Sequence, residues 1–474
     1  MLLQDSLLYQ KKLLPIQAGK LSVYIDAECR LYRLDPETEL TSIVVPSTIP
    51  VQEGCLFIPY DEGDDYVREM VRKGAAAALT DHDIEGIPCI VTEDPYHALY
   101  CLARYLYEGI GLPAVVVAGS EGKTTTKRMV TAVLAQEYRV FSKAGNWNSM
   151  HSLTCSLQSI ENGIDLLVQE VDEKRPDNPY CCSRILSPEI AVVTNVAESH
   201  IGYLGGARAL AKSFCGITAG MDENGVLILN GDDENSLHAG FDARTLLVAI
   251  RNEKADCRAM NIDSGPEGTE FDVCFRGETV HVRLSAYGEH NVYDAMMAYV
   301  VGKLKGVSTE KILAGLKSYR NSGIRQNVCR VGGETVYADC YNASPTSIAF
   351  AVKAFCDLPG TTGRKVAVIG DIAEVDGYEE ETYRRIAETV DTSDVDILVT
   401  YGGNSEMIWD YLTRPMAKRH ARTAEELYDR LRSLRAEGEN SYLFKASRVM
   451  KLEDAIRDVF PEHYREIKLS EKLY

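Results

Sequence analysis

The stretch AVVVAGSEGKTTTKRMV, residues 114–130, constrains the fold of this chain more than any other. Its first part, Val115 to Val117, is a continuous run of β-branched apolar residues, which is typical of a strand buried on both faces of a parallel sheet. Gly119 and Gly122 then allow a tight turn with inward-pointing backbone N–H groups. Lys123 opens a helix whose positive end faces the same space. The stretch therefore predicts a phosphate-holding loop between a strand and a helix.

The residues that follow the glycines indicate a nucleotide. Lys123 can reach the β- and γ-phosphates, and the hydroxyl of Thr124 or Thr125 can hold Mg²⁺. The usual P-loop spacing places a glycine at position 117, which is valine here, so the motif is the shorter G-x-x-G-K-T form. An ordinary glycine turn is the alternative. Gly-Lys-Thr-Thr at a strand-to-helix junction favours a nucleoside triphosphate over that alternative.

Apolar strands alternate with helical stretches along the chain, which indicates α/β domains with parallel sheets. The chain has 474 residues, a length typical of about three domains. We predict a smaller N-terminal α/β domain over 1–112, which would bind substrate, and a central P-loop ATPase-like parallel sheet over 113–323. A hairpin is expected near residues 269–288. The alternation restarts after residue 323, which predicts a C-terminal Rossmann-like doubly wound domain over 324–474.

Composition excludes some classes of function. The net charge of −19 argues against wrapping nucleic acid, whose phosphates would be repelled. No apolar run approaches 18 residues, and the N-terminus has no site that resembles a cleavage site, so we expect a cytoplasmic protein without a membrane contact. The 13 cysteines are scattered and include no C-x-x-C, which indicates reduced thiols. We also expect a monomer.

Two clusters follow predicted strands of the central segment. Glu170 ends a predicted strand, where the ligands of parallel sheets gather, and its carboxylate could hold a metal that bridges nucleotide phosphates. Asn195 and His200 follow another such strand. An exposed glutamate at a strand end and a histidine with a purely structural role are the alternatives for Glu170 and His200.

Further polar clusters lie later in the chain. His290 and Asn291 stand at a predicted helix start, where Asn291 could simply cap the helix. Asp339, Asn342 and Ser347 share a turn-rich strand exit. None of these clusters is specific alone, but their order along the chain is.

In chain order, the motifs are AGSEGKTTT, GNWNS, QEVDE, TNVAESH, GEHNVYDA, IRQN, DCYNASPTS, VIGDIAEV and KASRVMKLE. This series resembles the Mur ligase family, the ATP-dependent amide-bond ligases of peptidoglycan precursor synthesis. Asp-x-Tyr-Asn-Ala-x-Pro-x-Ser and Gly-Asp-x-x-Glu favour the branch that adds D-Ala-D-Ala to UDP-MurNAc-tripeptide. Two alternatives stay open: a related ligase that joins a different carboxylate and amine, and a nucleotide-binding homologue without ligase activity.

The resemblance implies roles for residues that match the family motifs. ATP and Mg²⁺ are the implied cofactors, and the catalytic residues would be Lys123, Glu170 and His200. The metal ligands would be Thr124, Glu170 and His200. The implied nucleotide contacts are Gly119, Ser120, Glu121, Gly122, Lys123, Thr124, Thr125, His290, Asn291, Arg325 and Asp339. The implied substrate contacts are Asn146, Asn148, Asn342, Ser347, Lys445, Ser447 and Arg448.

The chain departs from the family pattern on the substrate side. Related enzymes carry an arginine in the first domain that grips the uridine nucleotide, and Ile49 stands in its place, followed by the retained Phe57. Because isoleucine cannot donate a hydrogen bond, weaker uridine-nucleotide binding is expected. In the third domain, Ser344 replaces an asparagine, and in the phosphate loop Glu121 also replaces an asparagine.

A second departure concerns the metal site. Many family members carry a carbamylated lysine fourteen residues after the motif histidine, and this position is Phe214. Lys212 lies two positions away, about 200° around a helix, and should face elsewhere. We therefore expect a single Mg²⁺, with Asp172 and Glu173 as the nearest carboxylates that could substitute for the carbamate.

Overall fold

The computed structural model describes residues 14–26, 28–46, 50–60, 62–145, 147–197, 207–265, 267–321 and 323–471. Three residues from the sequence predictions, Ile49, Asn146 and His200, lie outside these ranges. Within them, no helix combines the length and apolar character needed to cross a membrane. All 13 cysteines are free thiols.

The described chain is of the α/β class, as predicted, and three large sheets organise it. Each sheet draws its strands from one of the three predicted segments, which are called here the first, central and third units. The boundaries at 112/113 and 323/324 stay predictions, since the sheets fix only where their strands lie.

The first unit contains a five-stranded sheet in the order β2-β7-β6-β5-β4 and a small pair formed by β1 and β3. Its strands are β1 Ile16–Gln17, β2 Arg30–Tyr32, β3 Glu39–Leu40, β4 Ile43–Val44, β5 Leu56–Phe57, β6 Ala77–Thr80 and β7 Cys89–Val91. Its helices are α1 Ala18–Ile25, α2 Asp64–Arg72 and α3 Pro95–Ile110.

The central unit contains a nine-stranded sheet in the order β16-β15-β14-β13-β12-β11-β8-β10-β9. Its strands are β8 Ala114–Ala118, β9 Val140–Phe141, β10 Leu166–Glu170, β11 Ile190–Val193, β12 Val226–Asn230, β13 Arg244–Ala249, β14 Cys257–Gly265, β15 Gly268–Phe275 and β16 Glu278–Leu284. Its helices are α4 Lys123–Leu134, α5 Met150–Leu157, α6 Asn178–Leu186, α7 Ala207–Cys215, α8 Glu234–Leu237, α9 Glu289–Leu304 and α10 Thr309–Ser318.

Strand β8 lies at the point of this sheet where the chain order reverses. It pairs in parallel with β10 on one side and with β11 on the other. In open α/β sheets, ligands bind beyond the carboxyl ends of the strands at such a point. The loop that leaves β8 is the predicted phosphate loop. At the far edge, β15 and β16 form the predicted antiparallel hairpin.

The third unit contains a six-stranded sheet in the order β17-β18-β22-β19-β20-β21, antiparallel only between β17 and β18. Its strands are β17 Asn327–Val331, β18 Glu334–Ala338, β19 Arg364–Gly370, β20 Ile397–Tyr401, β21 Ala417–Ala421 and β22 Asn440–Lys445. Its helices are α11 Pro345–Cys356, α12 Glu379–Asp391, α13 Ile408–Tyr411, α14 Ala424–Ala436, α15 Leu452–Val459 and α16 Pro461–Glu471.

Alternating side chains show that helices cover both faces of the central and third sheets. Val116 packs with the helices on one face of the central sheet, while Val115 and Val117 pack with α4, α9 and α10 on the other. In β19, Val368 and Ile369 separate in the same way. The cluster that contains Val116 continues into α3 and the first sheet, so one core joins the first and central units. This packing fixes β8 and its loop in a rigid frame.

Candidate active site

The glycine loop after β8 has the backbone that its sequence predicts. Gly119 and Gly122 adopt φ values of 129° and 79°, which favour glycine. A Cβ at Gly119 would overlap the Thr194 hydroxyl, and one at Gly122 would lie 2.8 Å from Asp294 Oδ1. Lys123 is the first residue of α4, as expected. Both glycines are therefore needed for the turn and for the close packing beneath it.

Thr194 and Asn195, which follow β11, fix the glycine loop through hydrogen bonds. The Ser120 N–H donates to Asn195 O at 2.9 Å, and the Glu121 N–H donates to Asn195 Oδ1 at 3.0 Å. The Thr194 hydroxyl and the Asn195 amide both donate to the Glu121 carbonyl. Thr126, in α4, donates to the buried Asp294 at 2.6 Å. Burial raises the pKa of Asp294 to about 7.

The Lys123 ammonium is enclosed by oxygen atoms. Its Nζ lies 2.5 Å from Gly119 O, 3.1 Å from Ser120 O, and 3.0 and 3.1 Å from the two oxygens of Glu173. The Glu173 side chain is 1% exposed. Burial acts to lower the pKa of Lys123, but the carboxylates of Glu173 and Glu170 raise it above its usual value. The lysine is therefore charged and paired.

Glu170, at the end of β10, is buried, which excludes the alternative of an exposed strand-end glutamate. Its carboxylate accepts hydrogen bonds of 3.0 Å from Thr124 Oγ1 and from Asn148 Nδ2. Lys127 Nζ lies 3.2 Å from the same carboxylate, and burial lowers the pKa of this lysine despite the attraction. Lys127 also donates to the carbonyls of Lys143 and Gly145. Carboxylate, hydroxyl and amide groups thus meet beside the phosphate loop.

The helix α9 begins near His290 and Asn291, as predicted, but Asn291 is not its cap residue. Gly288 occupies the cap position without a side-chain bond, and Asn291 lies inside the first turn, fully buried. Asn291 Nδ2 donates to Tyr287 O at 2.6 Å and to Gln326 Oε1 at 2.8 Å. The Asn291 Oδ1 atom has no hydrogen-bond partner among the described residues. Capping is therefore the wrong interpretation of Asn291.

His290 connects the central unit to the third. Its Nε2 lies 3.0 Å from Gln326 Oε1, and its ring stacks on Phe350 at 5.4 Å between centroids. Burial lowers the pKa of this histidine, so the neutral ring is favoured. A neutral imidazole and an amide at a buried position can make hydrogen bonds to a nucleobase without charge.

Polar groups from the ends of β18 and β22 complete the opposite wall. Lys445 Nζ lies 3.0 Å from Asp339 Oδ2 and donates to Asn342 O at 2.6 Å. The Ser344 hydroxyl donates to Glu121 Oε1 at 2.6 Å, across the cleft. Ser344 also caps α11 in a capping box with Ser347. The N-terminus of α11 is thereby fixed against the phosphate loop.

Three other predicted residues lie along the same wall. The Arg325 guanidinium stacks 3.4 Å above the Tyr341 ring. The Ser447 hydroxyl accepts a hydrogen bond of 2.9 Å from the Ala373 N–H. Arg448 pairs with Glu453 on the neighbouring helix. Each is held by the third unit and faces the loop from that side.

A cleft of about 1140 Å³ lies between the two walls. Of the described residues in the sequence prediction, it is lined by all except Gly119 and Asn291, which lie behind the surface. Asn146 and His200 lie outside the described residues. Three residues that contact the site residues or the helix α4 beside them were not predicted from the sequence: Lys127, Asp294 and Gln326. The IRQN motif contained Gln326, but nothing in the sequence showed its partner.

Of the predicted metal ligands, Thr124 and Glu170 are in contact, whereas His200 lies outside the described residues. The described ranges contain no group of three or more His, Cys, Asp or Glu side chains arranged to hold a metal. Phe214 is fully buried in the core and Lys212 is exposed, so the two face different ways, as expected. Asp172 accepts a hydrogen bond of 2.7 Å from Asn178, and burial raises the pKa of Asp172 to about 7.

Comparison with known families places two segments. Residues 117–302 match the Mur ligase middle domain, and residues 325–448 match the model described as Mur ligase, glutamate ligase domain. The UDP-N-acetylmuramoyl-tripeptide–D-alanyl-D-alanine ligase of Bacillus subtilis (strain 168) is 30% identical over 438 residues, with 90% of this chain and 95% of that protein covered. The enzyme of the same name from Escherichia coli (strain K12) is 27% identical, with 87% and 92% covered.

Two solved structures share the fold. The crystal structure of MurF from Acinetobacter baumannii aligns with a TM-score of 0.83 and 24% identity, covering 94% of this chain and 99% of that one. MurF ligase from Thermotoga maritima, in complex with ADP, aligns with a TM-score of 0.76 and 22% identity, covering 90% and 98%. The similarity extends through all three units.

Proposed function

Since the chain belongs to the Mur ligase family, we propose that it joins D-Ala-D-Ala to UDP-MurNAc-tripeptide in peptidoglycan precursor synthesis. It is an ATP-dependent carbon–nitrogen ligase. The observation that carries the proposal is the cleft in which Lys123 and Glu170 face the polar ends of β18 and β22. The Bacillus subtilis relative, similar over nearly its whole length, supports the substrates.

The phosphate loop and the start of α9 would form the nucleotide-binding part of the site. The N–H groups of Gly122 to Thr125, at the start of α4, would surround the phosphates, and the Lys123 ammonium would reach both the β-phosphate and the transferred γ-phosphate. His290 and Asn291 would contact the adenine, supported by the unsatisfied Asn291 Oδ1 and by the neutral His290 ring. Arg325 and Asp339 would close over the nucleotide from the third unit.

The donor atoms around Glu170 fit Mg²⁺. Carboxylate and hydroxyl oxygens are the ligands this ion prefers, and Mg²⁺ commonly uses one or two protein carboxylates together with nucleotide phosphates. Glu170 and Thr124 already lie 3.0 Å apart. They would hold the ion, with His200 as the third predicted ligand, and the ion would neutralise phosphate charge. Thr124 and Glu170 would orient it, because Asn148 and Lys127 fix the Glu170 carboxylate.

The reaction proposed has two steps. An oxygen of the tripeptide carboxylate attacks the γ-phosphorus, which breaks the bond to ADP and gives an acyl-phosphate. The amine of D-Ala-D-Ala then attacks the acyl carbon, and phosphate leaves with its bonding electrons and takes up the amine proton. Such chemistry requires positioning and charge neutralisation more than a protein nucleophile.

The third unit would present the amine substrate. Asn342, Ser347, Lys445, Ser447 and Arg448 are the proposed contacts, together with Asn146 and Asn148 from the central unit. Closure of the third unit over the bound substrates, guided by the bond from Ser344 to Glu121, would keep water from the acyl-phosphate. The first unit would bind the UDP-sugar. It contains an apolar pocket of about 440 Å³ lined by Phe57 and Tyr66, among others.

The proposal is tested by ADP release coupled to a spectroscopic assay, with mass spectrometry of the product. Turnover with UDP-MurNAc-tripeptide plus D-Ala-D-Ala, and with neither alone, is the expected result. Turnover only with another carboxylate and amine would transfer the same chemistry to the alternative substrates. If the protein bound nucleotide but no substrate stimulated the release of ADP from ATP, it would be a nucleotide-binding homologue, and the ligase proposal would be overturned.

A further inference from the structure

Three lysines of the cleft are already neutralised by carboxylates of the protein itself. Three buried or nearly buried lysines each contact one carboxylate within 3.2 Å. The pairs are Lys123–Glu173, Lys127–Glu170 and Lys445–Asp339. A nucleotide that enters this cleft therefore meets three lysines that are already paired, and its phosphates compete with carboxylates for them.

The competition is sharpest at Lys123, because its donors are all used. An ammonium group has three N–H donors. Four oxygens lie within 3.1 Å of Lys123 Nζ, two from Glu173 and two from the carbonyls of Gly119 and Ser120. No donor remains for a phosphate oxygen. The two carbonyls belong to the loop that carries the lysine, so Glu173 is the group that can leave.

We propose that Glu173 is an internal counterion that occupies the place of a nucleotide phosphate on Lys123 and is displaced when the nucleotide binds. This inference rests on the proposed nucleotide site. Glu173 acts through Lys123 and is a positioning residue: it holds the ammonium at the mouth of the loop, next to Gly119 and Ser120, until the phosphate takes its place.

Burial explains why such a counterion is needed. The Glu173 residue is 0% exposed, and the Lys123 side chain is 12% exposed. A buried ammonium without a partner is strongly destabilising, whereas a paired one is tolerated. The attraction of Glu173 and Glu170 for Lys123 outweighs the effect of burial, and raises the pKa of the lysine. The pair therefore stabilises the nucleotide-free protein and weakens nucleotide binding by the free energy needed to separate it.

The variant Glu173→Gln tests this directly, with ADP as the probe and calorimetry as the measurement. Glutamine keeps the shape and one acceptor oxygen but removes the charge. We expect ADP without metal to bind roughly tenfold more tightly, since about 1.4 kcal/mol of relieved competition gives that factor. The control Glu374→Gln removes the same charge from the rim of the cleft, where Glu374 contacts Lys174 at 3.4 Å. It should change ADP affinity by no more than about twofold, because its partner Lys174 is exposed and salt screens such a pair.

A second readout separates a counterion from a residue that merely supports the fold. Without ADP, Glu173→Gln should unfold at a lower temperature than the parent, and saturating ADP should restore it, so the ADP-induced shift is larger in the variant. The variant Glu173→Asp keeps the charge on a shorter side chain. It should bind ADP with an affinity between those of the parent and the glutamine variant, and provides the test if Glu173→Gln does not fold.

Three outcomes would overturn the inference. Unchanged or weaker metal-free ADP binding by Glu173→Gln would show that no competition exists. Weakening seen only with Mg²⁺ would make Glu173 a metal ligand instead. If Glu173→Gln does not fold and Glu173→Asp does, metal-free ADP affinity of Glu173→Asp equal to that of the parent would also show that no competition exists. Absence of ADP binding in the parent itself would reject the proposed nucleotide site, a different failure.

Discussion

The Ser344 hydroxyl donates a 2.6 Å hydrogen bond to the Glu121 carboxylate, and this contact ties the third unit to the phosphate loop. Both residues replace asparagines of the family pattern, so two departures that are 223 positions apart meet in one bond. The backbone of Glu121 is held by Thr194 and Asn195. Ser344 fixes the first turn of α11. This pair therefore couples the position of the third unit to that of the loop.

Glu121→Ala should lower kcat/KM by roughly 10- to 100-fold, because the contact that seats the third unit on the loop is lost. A hydrogen bond from a neutral donor to a charged group contributes about 1.5–3 kcal/mol. Ser344→Ala should have the same effect on activity and also lower the free energy of unfolding by about 1 kcal/mol through the lost cap. Steady-state kinetics of both single variants and the double variant provide the measurement. Activity losses that simply add would contradict a shared contact.

Lys123→Ala should abolish ligation and weaken Mg-ATP binding, because the loop loses its cation; contacts of this type contribute on the order of 3 kcal/mol to the transition state. The same variant removes the ammonium that pairs with the buried Glu173 carboxylate, and should lower the free energy of unfolding as well.

Comparison with Lys123→Ala/Glu173→Gln separates the two effects. The double variant should recover the stability lost in Lys123→Ala but none of the activity, as measured by urea unfolding and ADP release. Recovery of turnover in the double variant would remove Lys123 from the proposed mechanism.

Asp294 should make stability fall as pH rises. Burial raises the pKa of this carboxyl to about 7, above about 3.9 in an unfolded chain. The folded state therefore binds the proton more tightly, so the contribution is fully present below pH 4 and is lost as pH rises through 7. Asp294→Asn keeps an acceptor for Thr126 and removes the titration. It should be more stable than the parent by on the order of 4 kcal/mol at pH 8 and by about 1.5 kcal/mol at pH 5, and similar in stability below pH 4.

Asp391→Asn is the matched control for this pH dependence. Partial burial opposes ionisation of Asp391, but hydrogen bonds from Thr413 and Arg414 hold its pKa below the usual value. Its titration is complete below pH 5, so the difference in unfolding free energy from the parent should be the same at pH 5 and pH 8. If urea unfolding showed the same slope with pH for Asp294→Asn and the parent, Asp294 would not carry the titration.

Local sequence predicted the phosphate loop well because the strand, the glycines and the helix start are contiguous. The apolar run 115–117 predicts a buried strand and the two glycines predict a tight turn, and both are present in the structure. Lys127 was missed because a lysine one turn along a helix is usually solvated. Its burial arises only where β10 pairs with β8 and places Glu170 beside Val117. The register between two strands that are some fifty residues apart in sequence cannot be predicted from the sequence of either strand alone.

The start of α9 shows the same limit from the other side. An asparagine near a helix start is a common cap, and sequence alone favours that interpretation as readily as a binding role. The structure places Gly288 at the cap and joins Asn291 to Gln326 of the third unit. The family motifs ordered these residues along the chain, but only packing between units shows which of them meet. The individual roles of the site residues stay predictions for the same reason.

Phe214 occupies the position at which the family resemblance implies a carbamylated lysine. Phe214 is fully buried in the core of the central unit, and Lys212 is exposed on the same helix. Phenylalanine supplies neither charge nor oxygen, so no carbamate can form at this position. We expect turnover to be unaffected by added bicarbonate in buffers stripped of carbon dioxide, and one Mg²⁺ to bind per nucleotide by calorimetry. Lys212→Ala is the control and should retain the parent's activity. Stimulation by bicarbonate that disappears in Lys212→Ala would show that this lysine reaches the phosphate site after all, and that a second metal ion belongs in the mechanism.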